Sequence, residues 1–210
     1  MIKLVAFDCD GVLFDSRQAN IAFYNAILAH FDQPRLGPEA EDYVHSHTVF
    51  ASLEYIFTGY GPLDAVFAFY RTLDYQPFIP MMLEEPHLRD FLGYLRPTYF
   101  TALATNRTTT TGAVLSYHGL AEDFDLVVSA QDVSRPKPHP ESFERILDYF
   151  GLESQEAIYI GDSEVDEAFA ANAGVDLVAY RNPRLKAAHH LDSFATGPDL
   201  IRKLNRGDNP

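Results

Sequence analysis

The sequence predicts a doubly wound parallel α/β core, interrupted near its start by an all-helical insertion. Three observations carry that prediction. A short apolar run at residues 2–7 leads into two aspartates; no further strand-like run occurs until about residue 98; and from about residue 84 onward helical and strand-like patterns alternate.

Ile2-Lys3-Leu4-Val5-Ala6-Phe7 is too short for a helix and is followed by Gly11, which fits a buried strand with Asp8 and Asp10 at its carboxyl end. Ser16 is a good N-cap, and Ile21, Phe23, Ala26, Ile27, Leu28 and Phe31 recur at spacings near three and four, predicting a helix over 17–31. Helical patterns at about 48–58 and 62–73 follow, punctuated by Pro34, Gly37, Pro38, Gly59, Gly61 and Pro62. Ten of the 28 Phe and Tyr residues fall between 41 and 80, enough to build a small helical core. Then come helix 86–95, strand 98–104, helix 108–118, strand 125–129, helix 140–150, strand 157–161, helix 164–173 and strand 175–180. Strands alternating with helices imply a parallel sheet covered on both faces.

A chain of 210 residues with 47% apolar and 22% charged residues has an ordinary globular composition and can bury a full core, here one core carrying one insertion. No segment approaches the roughly 18 apolar residues of a membrane span, and Asp8 interrupts the first apolar run too early for a signal-peptide core. Cys9 is the single cysteine, so an intramolecular disulfide is excluded and a reducing, cytoplasmic setting is expected. A net charge of -14 disfavours nucleic acid and anionic membrane as partners, and an anionic substrate would need a local cation.

In parallel sheets, sites form at the carboxyl ends of the strands. Asp8 and Asp10 follow the first predicted strand, Thr105 and Asn106 the second core strand, a loop with Lys137 the third, and Asp162 and Asp166 the fourth. Three carboxylates, Asp8, Asp10 and Asp162, converging on one edge repel one another and cannot all stay ionised unaided, a conflict that a divalent cation resolves. Hard oxygen ligands with room for waters and phosphate point to Mg2+.

DxDG at 8–11, Thr105-Asn106, Lys137 within Arg-Pro-Lys-Pro-His-Pro, and GDxxxD at 161–166, in that order, resemble the haloacid dehalogenase-like superfamily over nearly the whole chain. The helical insertion is similar to the small alpha-helical cap of members such as phosphoglycolate phosphatases and beta-phosphoglucomutases. The resemblance implies a Rossmann-like catalytic core of residues 1–14 and 86–210 and a cap of residues 15–85. It also implies that Asp162 ligates Mg2+ with Asp166 in support, giving an expected metal set of Asp8, Asp10, Asp162 and Asp166.

In the expected reaction, Asp8 attacks a phosphoryl group in line to form an aspartyl phosphate. Asp10, on the same face of the extended segment, protonates the leaving oxygen and later deprotonates water. Thr105 and the side-chain amide or backbone N–H of Asn106 bond phosphoryl oxygens, and Lys137 supplies positive charge. Gly11 joins these last three in the expected substrate-binding set, together with His45 and His47, which lie where capped relatives carry their specificity loop. The expected substrate is a small phosphorylated metabolite admitted beneath a closing cap, on a monomer or homodimer. Asp10 sets the chain apart from dehalogenases and phosphonate hydrolases, and residues 11–96 contain no lysine of the kind the latter use. A phosphomutase of the beta-phosphoglucomutase type shares all four motifs, although Asn20 stands where mutase-like relatives often carry histidine. A non-catalytic binding module would be expected to have lost at least one motif, and none is lost.

Overall fold

The structure, a computed structural model, describes residues 1–206, with all side chains among them except those of His45 and Ser46. In chain order the elements are β1 (Leu4–Phe7), β2 (Phe14–Asp15), α1 (Arg17–His30), α2 (Pro38–Ser46), α3 (Val49–Ile56), α4 (Asp64–Tyr70), β3 (Leu83–Glu84), α5 (Leu88–Leu95), β4 (Phe100–Thr105), α6 (Thr111–Tyr117), β5 (Leu126–Ser129), α7 (Glu141–Phe150), β6 (Ala157–Gly161), α8 (Glu164–Ala173), β7 (Asp176–Tyr180), β8 (His189–Leu191) and α9 (Gly197–Arg206). They form two compact units, residues 1–15 with 84 onward, and residues 16–83.

The first unit is a six-stranded sheet of order β5-β4-β1-β6-β7-β8, with every neighbouring pair parallel. The order reverses between β1 and β6, because the chain first builds outward through β4 and β5 and then crosses back. A crevice outside the carboxyl ends of the strands is expected at that reversal. Every residue of β1 is buried, and alternation sends Leu4 and Ala6 to one face and Val5 and Phe7 to the other. Leu4 and Ala6 share a core with Phe143 and Ile146 of α7, Phe169 and Ala170 of α8, and Tyr159 of β6. On the opposite face Phe7 meets Phe91 of α5 at 6.1 Å, Phe124 at 5.9 Å and Phe194 at 6.3 Å between ring centroids. Helices thus cover both faces of a doubly wound α/β sheet.

The second unit is helical. Its interior is aromatic: Phe23 of α1 packs on Tyr70, Tyr75 and Phe78, and Phe31 on Phe57, Tyr60 and Phe69. Ser16 precedes α1 but makes no capping bond, since its φ of -98° and ψ of 3° turn the hydroxyl away, and it accepts from Asn20 Nδ2 instead. Helix α2 arises where the sequence suggested only punctuation, because Pro38 occupies the first helical turn, where a missing N–H costs nothing. Among the described residues no helix is long and apolar enough to cross a membrane.

Candidate active site

Parallel pairing aligns the ends of three strands. Phe7 of β1 is in register with Leu103 of β4 and Ile160 of β6, and the Asp8 N–H donates to the Ile160 carbonyl at 2.9 Å. Asp8 therefore emerges beside the end of β6, where Asp162 follows Gly161. One carboxylate oxygen from each of Asp8, Asp162 and Asp166 lies within 4.8 Å of the others. Two glycines make room for these acids. A Cβ on Gly11, whose φ is +77°, would fall 2.1 Å from Asp162 Oδ2, and one on Gly161 would fall 2.4 Å from the Asp166 Cβ.

Asp166 is fully buried in the first turn of α8. Its Oδ2 accepts from the Ser163 hydroxyl at 2.6 Å and from the backbone N–H groups of Ser163 and Asp162 at 3.1 and 3.2 Å, a capping box that satisfies the helix start. Its Oδ1 faces inward and accepts from Lys137 Nζ and the Tyr159 hydroxyl, both at 2.8 Å. Lys137 Nζ also lies 2.8 Å from Asp8 Oδ1 and 2.8 Å from the Tyr159 oxygen, so three partners match its three N–H donors. Only such full pairing makes an ammonium this deeply buried tolerable.

The loop carrying Lys137 is clamped by its neighbours. The Asn106 side chain accepts the Lys137 N–H at 2.9 Å and donates to the Lys137 carbonyl at 3.0 Å. Glu141 accepts the N–H groups of Ser134 and Arg135, and Asn172 donates to the Pro138 carbonyl. One N–H of the Asn106 side chain, whose amide or backbone N–H is expected to meet a phosphoryl oxygen, is engaged by the loop. Thr105 is buried, and its hydroxyl accepts the Arg107 N–H at 3.1 Å.

Asp10 stands apart from the acidic trio. Both of its carboxylate oxygens are held by the Arg107 guanidinium, Oδ2 by Nε at 2.7 Å and Oδ1 by Nη2 at 3.0 Å. Asp10 is not among the three acids whose oxygens lie within 4.8 Å of one another. His47 belongs to the helical unit, its Nδ1 2.9 Å from the Tyr43 carbonyl and its ring stacked on Tyr43; the His45 side chain lies outside the described residues. Cys9 is buried, and burial, reinforced by Asp10, pushes its thiol well up, so it packs as an inert side chain.

The electrostatics show a site short of positive charge. Burial, then the charges of Asp8 and Asp166, push Asp162 up to about 8. Burial also raises Asp8, against the pull of Lys137 and with the push of Asp166. Burial works against the Lys137 ammonium as well, but Asp166 and Asp8 outweigh it and leave Lys137 more basic than usual. Asp166 ends below the ordinary carboxylate range because Lys137 and the hydroxyls of Ser163 and Tyr159 overcome its burial. Fully ionised, the four carboxylates Asp8, Asp10, Asp162 and Asp166 exceed the two cations Lys137 and Arg107 by two charges, the charge of one divalent ion. The oxygen donors of Asp8, Asp162 and Asp166 fit such an ion.

Tyr159 and Arg107 were not singled out by sequence reasoning. Arg107 carries a signal in hindsight, since it directly follows Thr105-Asn106. Tyr159 carries a weaker one, two residues before Gly161 and so on the same face of β6.

Residues 5–180 match the model of the haloacid dehalogenase-like hydrolases. The chain is 27% identical over 211 residues to the pyrophosphatase PpaX of Bacillus velezensis, covering 97% of this chain and 94% of that one. It superposes on a haloacid dehalogenase-superfamily hydrolase of subfamily IA from Geobacter sulfurreducens with a TM-score of 0.86 and 35% identity, over 95% of this chain and 100% of the other. A beta-phosphoglucomutase from Clostridium difficile shares the fold with a TM-score of 0.82 at 20% identity, over 98% of each chain. The family match over most of the chain and the similarity to a hydrolase at 35% identity show that the chain belongs to the haloacid dehalogenase-like hydrolases, a family of enzymes.

Proposed function

We propose that the chain is a Mg2+-dependent phosphatase that hydrolyses a small phosphorylated metabolite through an aspartyl phosphate on Asp8. The observation that carries this reading is the meeting of Asp8, Asp162 and Asp166, one carboxylate oxygen of each within 4.8 Å of the others, with Lys137 paired to Asp8 and Asp166. Asp8 and Asp162 are the residues to hold Mg2+, with Asp166 in support through Lys137, Ser163 and the Asp162 N–H, and the ion when bound would neutralise phosphoryl oxygens and favour attack on phosphorus.

In this reading a carboxylate oxygen of Asp8, oriented by Lys137, attacks phosphorus. The bond to the leaving oxygen breaks as Asp10 gives that oxygen a proton. Water then attacks the same phosphorus, Asp10 takes up its proton, and phosphate leaves with Asp8 restored. The Thr105 hydroxyl and the Asn106 backbone N–H are the donors for phosphoryl oxygens, and Gly11 lets the backbone come close to them. The helical insertion, expected as a cap at residues 15–85, would admit a small substrate and exclude bulk water and macromolecular substrates as it opens and closes, with His45 and His47 in the proposed substrate-binding set.

Relatives named as a pyrophosphatase and as a proposed phosphoglycolate phosphatase, the latter from Lactobacillus plantarum, support phosphoryl hydrolysis as the reaction class. Transfer to a sugar hydroxyl is disfavoured by Asn20, whose amide is engaged inside the helical unit by Ser16 and Tyr75. Phosphate release from a panel of phosphorylated metabolites, with Mg2+ or with a chelator, tests the proposal. Turnover that needs Mg2+ and vanishes in Asp8→Asn is expected. Turnover undiminished in that variant would overturn it.

A further inference from the structure

Of the two cations at the site, Lys137 is fully committed, its three donors taken by Asp8, Asp166 and Tyr159. Arg107 is placed differently. Its backbone is tied down at both ends, by the Thr105 hydroxyl at 3.1 Å and by the Ala130 N–H at 2.9 Å, and its Nη1 is steered by the Thr110 hydroxyl at 3.0 Å. The remaining edge of the guanidinium, Nε and Nη2, forms a fork that holds both oxygens of Asp10. The Arg107 side chain is 8% exposed and that of Asp10 31%, so the carboxylate is the outer member of the pair. An arriving anion meets Asp10 before it meets the guanidinium, and what it can displace is the carboxylate.

The geometry points to Arg107 as the residue that selects substrates with a second anionic group beside the phosphoryl, its fork exchanging Asp10 for that group. This rests on the phosphatase reading above. A planar carboxylate or a phosphoryl group offers two oxygens at the spacing the fork already grips, and a guanidinium binds either one bidentately. Position argues the same way. Asp10 has to reach the leaving oxygen to pass it a proton, so whatever hangs from that oxygen lies next to the group that holds Asp10. The exchange also frees Asp10 to turn toward the leaving oxygen, coupling the recognition of the second anion to the step that needs Asp10. The substrate class is therefore a phosphorylated compound whose leaving group is itself anionic, as in pyrophosphate or phosphoglycolate, in preference to a neutral alkyl phosphate.

The test compares kcat and KM of the full chain with Mg2+ for pyrophosphate, phosphoglycolate and ethyl phosphate, in the wild type, Arg107→Lys and Arg107→Gln. The expected wild type prefers the first two in kcat/KM. In Arg107→Gln that preference falls at least about tenfold, mainly through a rise in KM for the doubly anionic substrates. Arg107→Lys, which keeps the charge but lacks the fork, falls between. Turnover of all three without preference in the wild type, or equal losses on all three in the variants, overturns this inference and leaves the phosphatase reading standing. A folded wild type that releases phosphate from none of the three but from another member of the panel overturns this inference alone, and release from no compound of the panel overturns the phosphatase reading with it.

Discussion

The Cβ that Gly161 lacks would fall 2.4 Å from the Cβ of Asp166, so the last residue of β6 is glycine because the acid of α8 occupies its side-chain space. Gly161→Ala should push Asp166 off Lys137 and Tyr159. The expected cost is about 1–3 kcal/mol from overpacking, measured by denaturant unfolding, together with loss of turnover. A variant as stable and active as the wild type would show that the helix start yields freely.

Lys137 balances two buried acids from one position, 2.8 Å from each. Lys137→Met keeps the apolar stem and leaves Asp8 and Asp166 facing each other without a cation. Removing one partner of a buried ion pair costs about 3–5 kcal/mol, and a loss of that order in thermal or chemical unfolding is expected, with turnover abolished.

Tyr159 adds a hydroxyl that accepts from Lys137 and donates to Asp166, and burial keeps its phenol protonated far above neutral pH. Tyr159→Phe preserves the ring contacts with Phe143 and Phe169 while removing the bonds to Lys137 and Asp166 and the contact with the Ala104 carbonyl at 3.2 Å. A loss of about 1–3 kcal/mol in stability is expected, with the apolar packing intact by near-ultraviolet circular dichroism.

Glu141 lies below the ordinary carboxylate range, first because the Ser134 N–H bonds its charged form. A group whose folded pKa is depressed contributes stability above its unfolded value, 4.5 for this residue, and loses it as pH falls through the folded one. Wild type should therefore exceed Glu141→Gln in stability at neutral pH, and the gap should close as the pH falls below 4.5 and through the depressed folded value. A gap independent of pH would assign the difference to packing.

Mg2+ should raise the unfolding temperature of the wild type, since a ligand at a hundredfold excess over its Kd stabilises by about 2.7 kcal/mol. Asp162→Asn should remove most of that shift.

Much of this was legible in the chain because it depends on local pattern. The core strands and helices from about residue 86 to 180 announce themselves by apolar runs and by glycine and proline breaks, and the four site motifs follow strands directly. Strand β8 did not, because His189-His190-Leu191 is too short to show a period, and α9 carries only three apolar side chains, Leu200, Ile201 and Leu204, in a decapeptide that opens on Gly-Pro. The pairings were also hidden. Arg107 meets Asp10 across 97 residues and Asn106 grips Lys137 across 31, distances at which only the folded sheet says who is adjacent.

Asp8 is the proposed carrier of the phosphoryl group. Wild-type protein mixed with a turned-over substrate and Mg2+, quenched in acid during turnover and digested, should yield a peptide containing Asp8 that bears a phosphoryl group removable by hydroxylamine, and Asp8→Asn should yield none. Continued phosphate release with that peptide never modified, or with the phosphoryl group on another residue, would contradict the account.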